Sequence, residues 1–435
     1  PIRSIFAEKK GMRHFPMFII CMLIVEILGA QTYYSPQSLQ NQNRIYSDHI
    51  QTVILHPEGD PLGMPILPLE GSQALQLQFD DLEGSYKVYK YTVIHCDASW
   101  NISLLRPNEY IDGFDYDEIR DYAYSFNTTI PYTNYQLLFP NDRMRLTQSG
   151  NYLLVVYLEE VDKPVFTHRF MVYENKVRIE QFSQGRASLP SFMQSSQEVD
   201  FRIRPGKYSI PAPARDLKVM IMQNGRWDNT IMLKQPRNIT QEYLDYDFEE
   251  ENLFEAGNQY RPLDIKSVRY RSERIADIAY LSDGYHIYLK PDEVRAGKPF
   301  RSEPDINGKR LIKTEDMQRS EVEADYTHVH FSFPFPYPLA QGSIYIIGEL
   351  TGNELQPFAR MTYNYNTSQY EAVLLLKQGY YNYMYIMVPE GKSKGETAST
   401  EGNHWEAPNE YILLVYHREP DDAFDKIIGY FLSQQ

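Results

Sequence analysis

The chain has 435 residues, 42% of them hydrophobic, and its 58 acidic against 43 basic side chains give a formal net charge of −15. That acidity excludes a phosphate-neutralising nucleic-acid binder, which needs a basic surface, and the ordinary apolar fraction excludes a disordered chain. Two cysteines exclude a disulfide-dense scaffold and a four-thiolate zinc site, and the length suits two or three domains, each with its own core.

In chain order, the first natural start is Met12, followed by the basic Arg13 and His14, an apolar stretch from Phe15 to Leu28, and Gly29-Ala30. This reads as an export signal with cleavage after Ala30. The stretch is short for a membrane span and holds Glu26, so a retained anchor is not expected. Removing residues 1–30 takes away four basic residues (Arg3, Lys9, Lys10, Arg13) and two acidic ones (Glu8, Glu26), leaving the chain two units more negative. Cys96 is then the only thiol, and its setting in an apolar run reads as a small buried hydrophobe.

Beyond the leader the hydrophobic pattern has the strand period. Leu75, Leu77 and Phe79 alternate with glutamines, Val199, Phe201 and Ile203 with charges, and Val329, Phe331 and Phe333 with His328, His330 and Ser332. Tyr152–Leu158, Leu217–Met222, Ile344–Ile347, Val373–Leu376 and Tyr411–Tyr416 are apolar on both faces and read as central strands. Turn chemistry separates these runs at Ser149-Gly150-Asn151, Asn224-Gly225, Asp283-Gly284 and Gln378-Gly379. One helix is predicted, over Asp115–Ser125, where Ile119, Tyr122 and Ala123 follow an acidic first turn. The expected fold class is all-β, a tandem of immunoglobulin-like β-sandwiches over residues 43–175, 176–325 and 326–435.

Chemistry-bearing motifs are few. The chain has no GxSxG elbow, HExxH, P-loop, GxGxxG or CxxC, so no catalytic residue is assigned. The acidic cluster Asp112–Glu118 offers hard oxygen ligands, but its sixth position counted from Asp112 is Asp117, where a calcium loop needs glycine; a solvated acidic loop is the expectation. His328 and His330 share one strand face without an apparent third ligand, so no metal and no cofactor is expected there. Arg226 and Trp227 stand at the end of a predicted hairpin, and both residue types are enriched at binding hot spots. The tyrosines of Tyr363–Tyr365 and Tyr380–Tyr385 suit either cross-strand packing or sugar stacking.

Taken together, the segments Tyr91–Trp100, Glu109–Phe114, Ser125–Thr129 with Pro131–Tyr135, and Ser149–Tyr152 resemble the plug protein family of the Bacteroidetes type IX secretion system. So do Gln223–Asn229, Gly257–Arg261 with Asp264–Ser267, Tyr370–Tyr385, and Asn409–Tyr411 leading to Gly429-Tyr430. The likeness runs in order from about Arg44 to Gln435; Asp97, where the family pattern has Asn, and Ala407-Pro408 depart from it. The resemblance implies a periplasmic protein that binds the outer-membrane translocon barrel and occludes its periplasmic mouth when no substrate is in transit, without catalysis. Phe114, Asp115, Tyr116, Arg226 and Trp227 are the expected partner contacts. The last segment also resembles the early-set sandwiches of glycogen-binding modules around Ile344–Leu350 and Tyr370–Met387. That makes an exported carbohydrate-binding protein the alternative, distinguished by whether a coplanar ridge of Tyr or Trp lies exposed.

Overall fold

Strand Gly150–Tyr157 is buried along its whole length, and the two faces of that strand serve different cores. Tyr152, Leu154 and Val156 point into one apolar cluster, while Leu153, Val155 and Tyr157 point into another. The computed structural model, which describes residues 39–315 and 317–433, shows why. The strand sits between Lys90–Cys96 and Pro164–Tyr173 in one sheet of a sandwich. The facing sheet is Ile50–Pro57, Leu75–Asp81, Thr133–Phe139 and Asp121–Tyr124 in that order. Leu75, Leu77, Phe79 and Tyr135 of the facing sheet meet Tyr91, Val93 and Phe166 between the layers, the sandwich arrangement expected of alternating strands.

A second sandwich repeats the device. One of its sheets places Leu217–Gln223 between Ile231–Leu233 and Tyr411–His417, with Lys426–Leu432 beyond. The other holds Arg178–Arg186, Ser196–Arg204, Leu244–Tyr246 and short flanking strands. Val219, Ile221, Leu413 and Val415 close its own core on Val199, Phe201 and Ile203. Met220, Met222, Ile412 and Leu414 face the opposite way, onto Leu153, Val155 and Met171 of the first sandwich. Three of the five runs that are apolar on both faces, Tyr152–Leu158, Leu217–Met222 and Tyr411–Tyr416, are therefore strands at which two sandwiches share a dry face. Cys96 lies in this shared layer, fully buried, and burial pushes its thiol well above its ordinary value.

The third sandwich packs Ile275–Leu281, Gly284–Leu289, Tyr326–Pro334 and Gln369–Lys377 against a sheet built on Gly379–Val388. Val329, Phe331 and Phe333 face Tyr381, Tyr383 and Tyr385 across its core. A buried polar knot ties it to the first sandwich. Lys377 Nζ and Tyr326 O–H both reach Asp80 Oδ2 at 2.6 Å, Asn134 Nδ2 donates to Asp80 Oδ1 at 2.7 Å, and the ammonium sits 4.1 Å from the Tyr132 ring centroid.

Three expectations meet a different arrangement. The serial segments 176–325 and 326–435 interleave, because Tyr411–His417 and Lys426–Leu432 return to the sheet of Leu217–Gln223, whereas Ile275–Leu281 and Gly284–Leu289 belong with Tyr326–Pro334. The helix over Asp115–Ser125 is replaced by two strands, Asp117–Glu118 pairing with Lys90-Tyr91 and Asp121–Tyr124 with Thr133–Gln136. The reason is local: Asp117 and Ile119 are both buried, a spacing of two that no helix face provides. Val373–Leu376 pairs with Tyr326–Pro334 along its length, but its other edge is covered only near Gln369–Glu371, and Val373 is exposed.

No helix among the described residues is long and apolar enough to cross a membrane. The expected signal segment at residues 1–30 lies outside the described residues.

Candidate functional site

The segment from Phe114 to Phe126 crosses from one sheet of the first sandwich to the other and leaves most of its aromatic rings in solvent. It is held at buried points. Gly113 adopts φ 115°, in the region that favours glycine, and a Cβ there would run into the Arg143 carbonyl. That turn sends Phe114 outward, with its N–H donating to Arg143 O at 2.8 Å. Asp117 is the second anchor, accepting from Arg120 Nη2 at 2.9 Å and Arg143 Nε at 2.7 Å. Burial pushes its carboxyl up, but the hydrogen bonds from Arg120, the Glu118 backbone and Arg143 outweigh burial, so its pKa lies below the ordinary value. Ile119, in the core, is the third.

Between these anchors Phe114 and Tyr116 are 56% and 52% exposed. The Arg143 guanidinium lies 4.8 Å from the Phe114 ring centroid, and Lys90 Nζ lies 6.0 Å from that of Tyr116. Asp115 is exposed, with its carbonyl accepting from Thr92 Oγ1. Farther along, Tyr122 meets Tyr86 at 4.5 Å and Tyr124 at 5.7 Å between centroids, on the edge strand Asp121–Tyr124. Phe126 is 70% exposed although its N–H is tied to Val322 O at 2.9 Å. Exposed aromatics beside an arginine have the composition of a protein-binding surface, and an open edge strand adds unpaired main-chain groups. The expected contacts Phe114, Asp115 and Tyr116 lie on this exposed segment beside Tyr86, Tyr122, Tyr124 and Phe126, which the sequence pattern did not single out as contacts. The signal was present: aromatics at 122, 124 and 126 alternate with Ala123 and Ser125, so the strand has no aliphatic face to bury.

Arg226 and Trp227 are placed elsewhere and are not free. Asn224 and Gly225 both take positive φ, at 52° and 67°, and turn the chain inward. Arg226 is 4% exposed and holds Asp228 through Nε at 3.0 Å and Nη2 at 2.7 Å. Trp227 joins a junction of four chain segments. The Arg169 guanidinium lies 4.5 Å from the Trp227 ring centroid and 4.7 Å from that of Trp100, and the two indoles meet edge to face at 5.3 Å. Trp100 reaches this place from a left-handed backbone, φ 65°, a strained conformation for a bulky residue. Asp97 Oδ1 holds that turn by accepting the N–H groups of Ser99 and Asn101. Arg169 also donates to Asn41 O at 2.7 Å and to Glu354 Oε1 at 3.2 Å. Burial raises the Glu354 carboxyl to about 7 against the pull of Arg169 and the Asn43 N–H, and burial lowers Arg169 against the pull of Glu354. The short ion pair and these shifts point opposite ways; desolvation dominates because both groups are largely enclosed.

Other sequence candidates also find their places. Tyr381, Tyr383 and Tyr385 are buried in the third core, and the Tyr363 and Tyr365 rings stand 81° apart, which is no coplanar sugar platform. In the acidic loop, Asp112 pairs with Arg145 at 3.0 Å, and Asp117 is bound as described. His328 and His330 lie on the outer face of the third sandwich beside His286.

With this geometry in view, residues 50–174, the first sandwich, match the family described as the type 9 secretion system plug protein first domain. A crystal structure of a hypothetical protein from Parabacteroides merdae ATCC 43184 is 36% identical, covers 91% of this chain and 99% of its own, and superposes with a TM-score of 0.88. The C-terminal domain of the Streptococcus pyogenes antigen I/II-family protein AspA aligns at 8% identity over 88% of this chain and 99% of its own, with a TM-score of 0.15 that carries no argument. No curated protein matches. The first sandwich, residues 50–174, thus belongs to the type IX secretion system plug protein family.

Proposed function

We propose that this protein is a non-enzymatic periplasmic plug, exported by residues 1–30, that binds the type IX outer-membrane translocon barrel. Bound at the periplasmic end, it seals the pore when no substrate is in transit. The observation that carries this reading is the coincidence of the family match over residues 50–174 with the exposed aromatic segment Phe114–Phe126 inside it. Phe114, Asp115 and Tyr116, with Tyr122 and Tyr124, form the contact; Arg226 and Trp227 organise the body behind it. Three sandwiches joined through dry faces and buried polar knots give a body that offers a preformed surface, so little conformational entropy opposes binding. Release needs only a difference in affinity between two barrel states, about 1.4 kcal/mol for each factor of ten.

Purified translocon from cells carrying the wild-type protein is expected to bring it down, and a strain lacking it is expected to admit solutes that the outer membrane normally excludes. Absence from the purified complex together with normal impermeability would sink the reading. A Phe114→Ala/Tyr122→Ala variant is expected to lose co-purification with only a small drop in melting temperature; retained co-purification would reject this surface.

A further inference from the structure

On the outer face of the third sandwich, His286 and His328 are directly paired across neighbouring parallel strands, as are Tyr288 and His330 one step along. Because side chains alternate along a strand, all four point away from the core that holds Ile287, Val329 and Phe331. The two-residue turn that precedes Gly284 then places Asp283 over the same face, and its Oδ1 lies 2.9 Å from His286 Nε2. Asp283 Oδ2 lies 3.8 Å from His328 Nε2. The ligand atoms of Asp283, His286 and His328 all fall within 4.8 Å of one another.

We propose that Asp283, His286 and His328 bind a divalent transition-metal ion of the zinc class, with His330 orienting His286. A tetrahedral zinc with bonds of about 2.0–2.1 Å sets its ligand atoms about 3.3 Å apart. The distances of 2.9 and 3.8 Å bracket that value, so small side-chain rotations convert the cluster into a coordination sphere. Two imidazoles and one carboxylate are a zinc donor set, and imidazole suits zinc, copper and nickel over calcium or magnesium.

The surroundings supply the outer shell that such ligands use. His286 Nδ1 lies 2.9 Å from His330 Nε2. With Nε2 on the metal, Nδ1–H donates to His330, which fixes the ring and its tautomer. His330 is stacked on Tyr288 with centroids 4.3 Å apart, which holds its ring beside His286. Asp283 is exposed, so the fourth position opens to water. The ion would pin the turn between Ile275–Leu281 and Gly284–Leu289 to strand Tyr326–Pro334, joining elements more than forty residues apart.

The test uses the full exported chain without a polyhistidine tag, stripped with chelator and titrated with Zn2+ by calorimetry. One equivalent is expected to bind, with a rise in melting temperature, and Co2+ is expected to give the intense visible bands of a tetrahedral site. His328→Ala and the fold-neutral Asp283→Asn are expected to weaken Zn2+ binding about tenfold or more, and His330→Ala by about tenfold, with recovery in His330→Gln, which keeps an acceptor. No saturable uptake by the wild type, or uptake unchanged in both His328→Ala and Asp283→Asn, would overturn the proposal.

Discussion

An arginine laid against an aromatic ring occurs at two places with opposite surroundings. At the rim, Arg143 stands 4.8 Å from Phe114, and both are exposed. At the junction, Arg169 lies between Trp100 and Trp227 at 4.7 and 4.5 Å, with Glu354 and Asn41 taking its N–H groups. The chemistry is the same, but water changes its worth. An exposed cation–π pair contributes about 0.5–1 kcal/mol, and a desolvated one about 2 kcal/mol or more. The junction thus holds chain segments together, whereas the rim pair is stable enough to be ordered and weak enough to be exchanged for a partner. Residue type alone did not separate these roles; burial did.

The largest expected effect comes from breaking the buried side. Arg169→Ala removes the cation from two indoles and leaves Glu354 enclosed without its partner, which is expected to cost about 3–5 kcal/mol in denaturant unfolding. Equal stability of variant and wild type would show that the junction contributes nothing beyond contact. Trp227→Ala is expected to cost about 2–3 kcal/mol, less than a fully enclosed tryptophan because the ring is only half-buried. A loss below about 0.5 kcal/mol, the range of a surface change, would return Trp227 to the list of free contacts.

A third effect depends on pH. With a folded pKa of about 7 against 4.5 for the ordinary carboxyl, Glu354 retains in the folded state a proton that the unfolded chain has released. The corresponding stability is fully present below pH 4.5 and is lost as the pH rises towards 7. Glu354→Gln is expected to flatten this part of the stability profile by on the order of 2 kcal/mol. A slope unchanged in the variant would assign the proton to another group.

The strands were legible because their signal is local. Val199, Phe201 and Ile203 alternate with polar residues, and the structure buries all three. Even the double-faced runs announced the shared layer, since Leu153 and Leu414 have no reason to be apolar unless something covers the second face. What the sequence did not reveal is non-local. Leu217–Gln223 pairs with Tyr411–His417 nearly two hundred residues away, and no period or turn residue records that. Trp227 read as a hairpin end because the groups that meet its ring, Trp100 and Arg169, lie far from it in the chain. The neighbour of His328 and His330 was hidden for the same reason: His286 arrives through a parallel pairing. The helix over Asp115–Ser125 failed on the burial of both Asp117 and Ile119, and one of the two arginines that hold Asp117 stands more than twenty residues on.

The smallest stability effect belongs to the rim, and it is the most informative about function. Phe114→Ala removes a ring that is more than half in water and one exposed cation–π contact, so folding stability is expected to change by no more than about 0.5–1 kcal/mol. Arg143→Gln is expected to do more, because Arg143 Nε also holds Asp117, whose carboxyl is kept ionised by that bond together with Arg120. If the rim is a contact, Phe114→Ala reduces translocon capture while leaving unfolding nearly untouched, and Trp227→Ala does the reverse in a mild form, lowering stability while the surviving folded protein still binds. If both variants lose capture in proportion to lost stability, the rim is not the surface that meets the partner, and the contrast between the two arginine sites is one of folding alone.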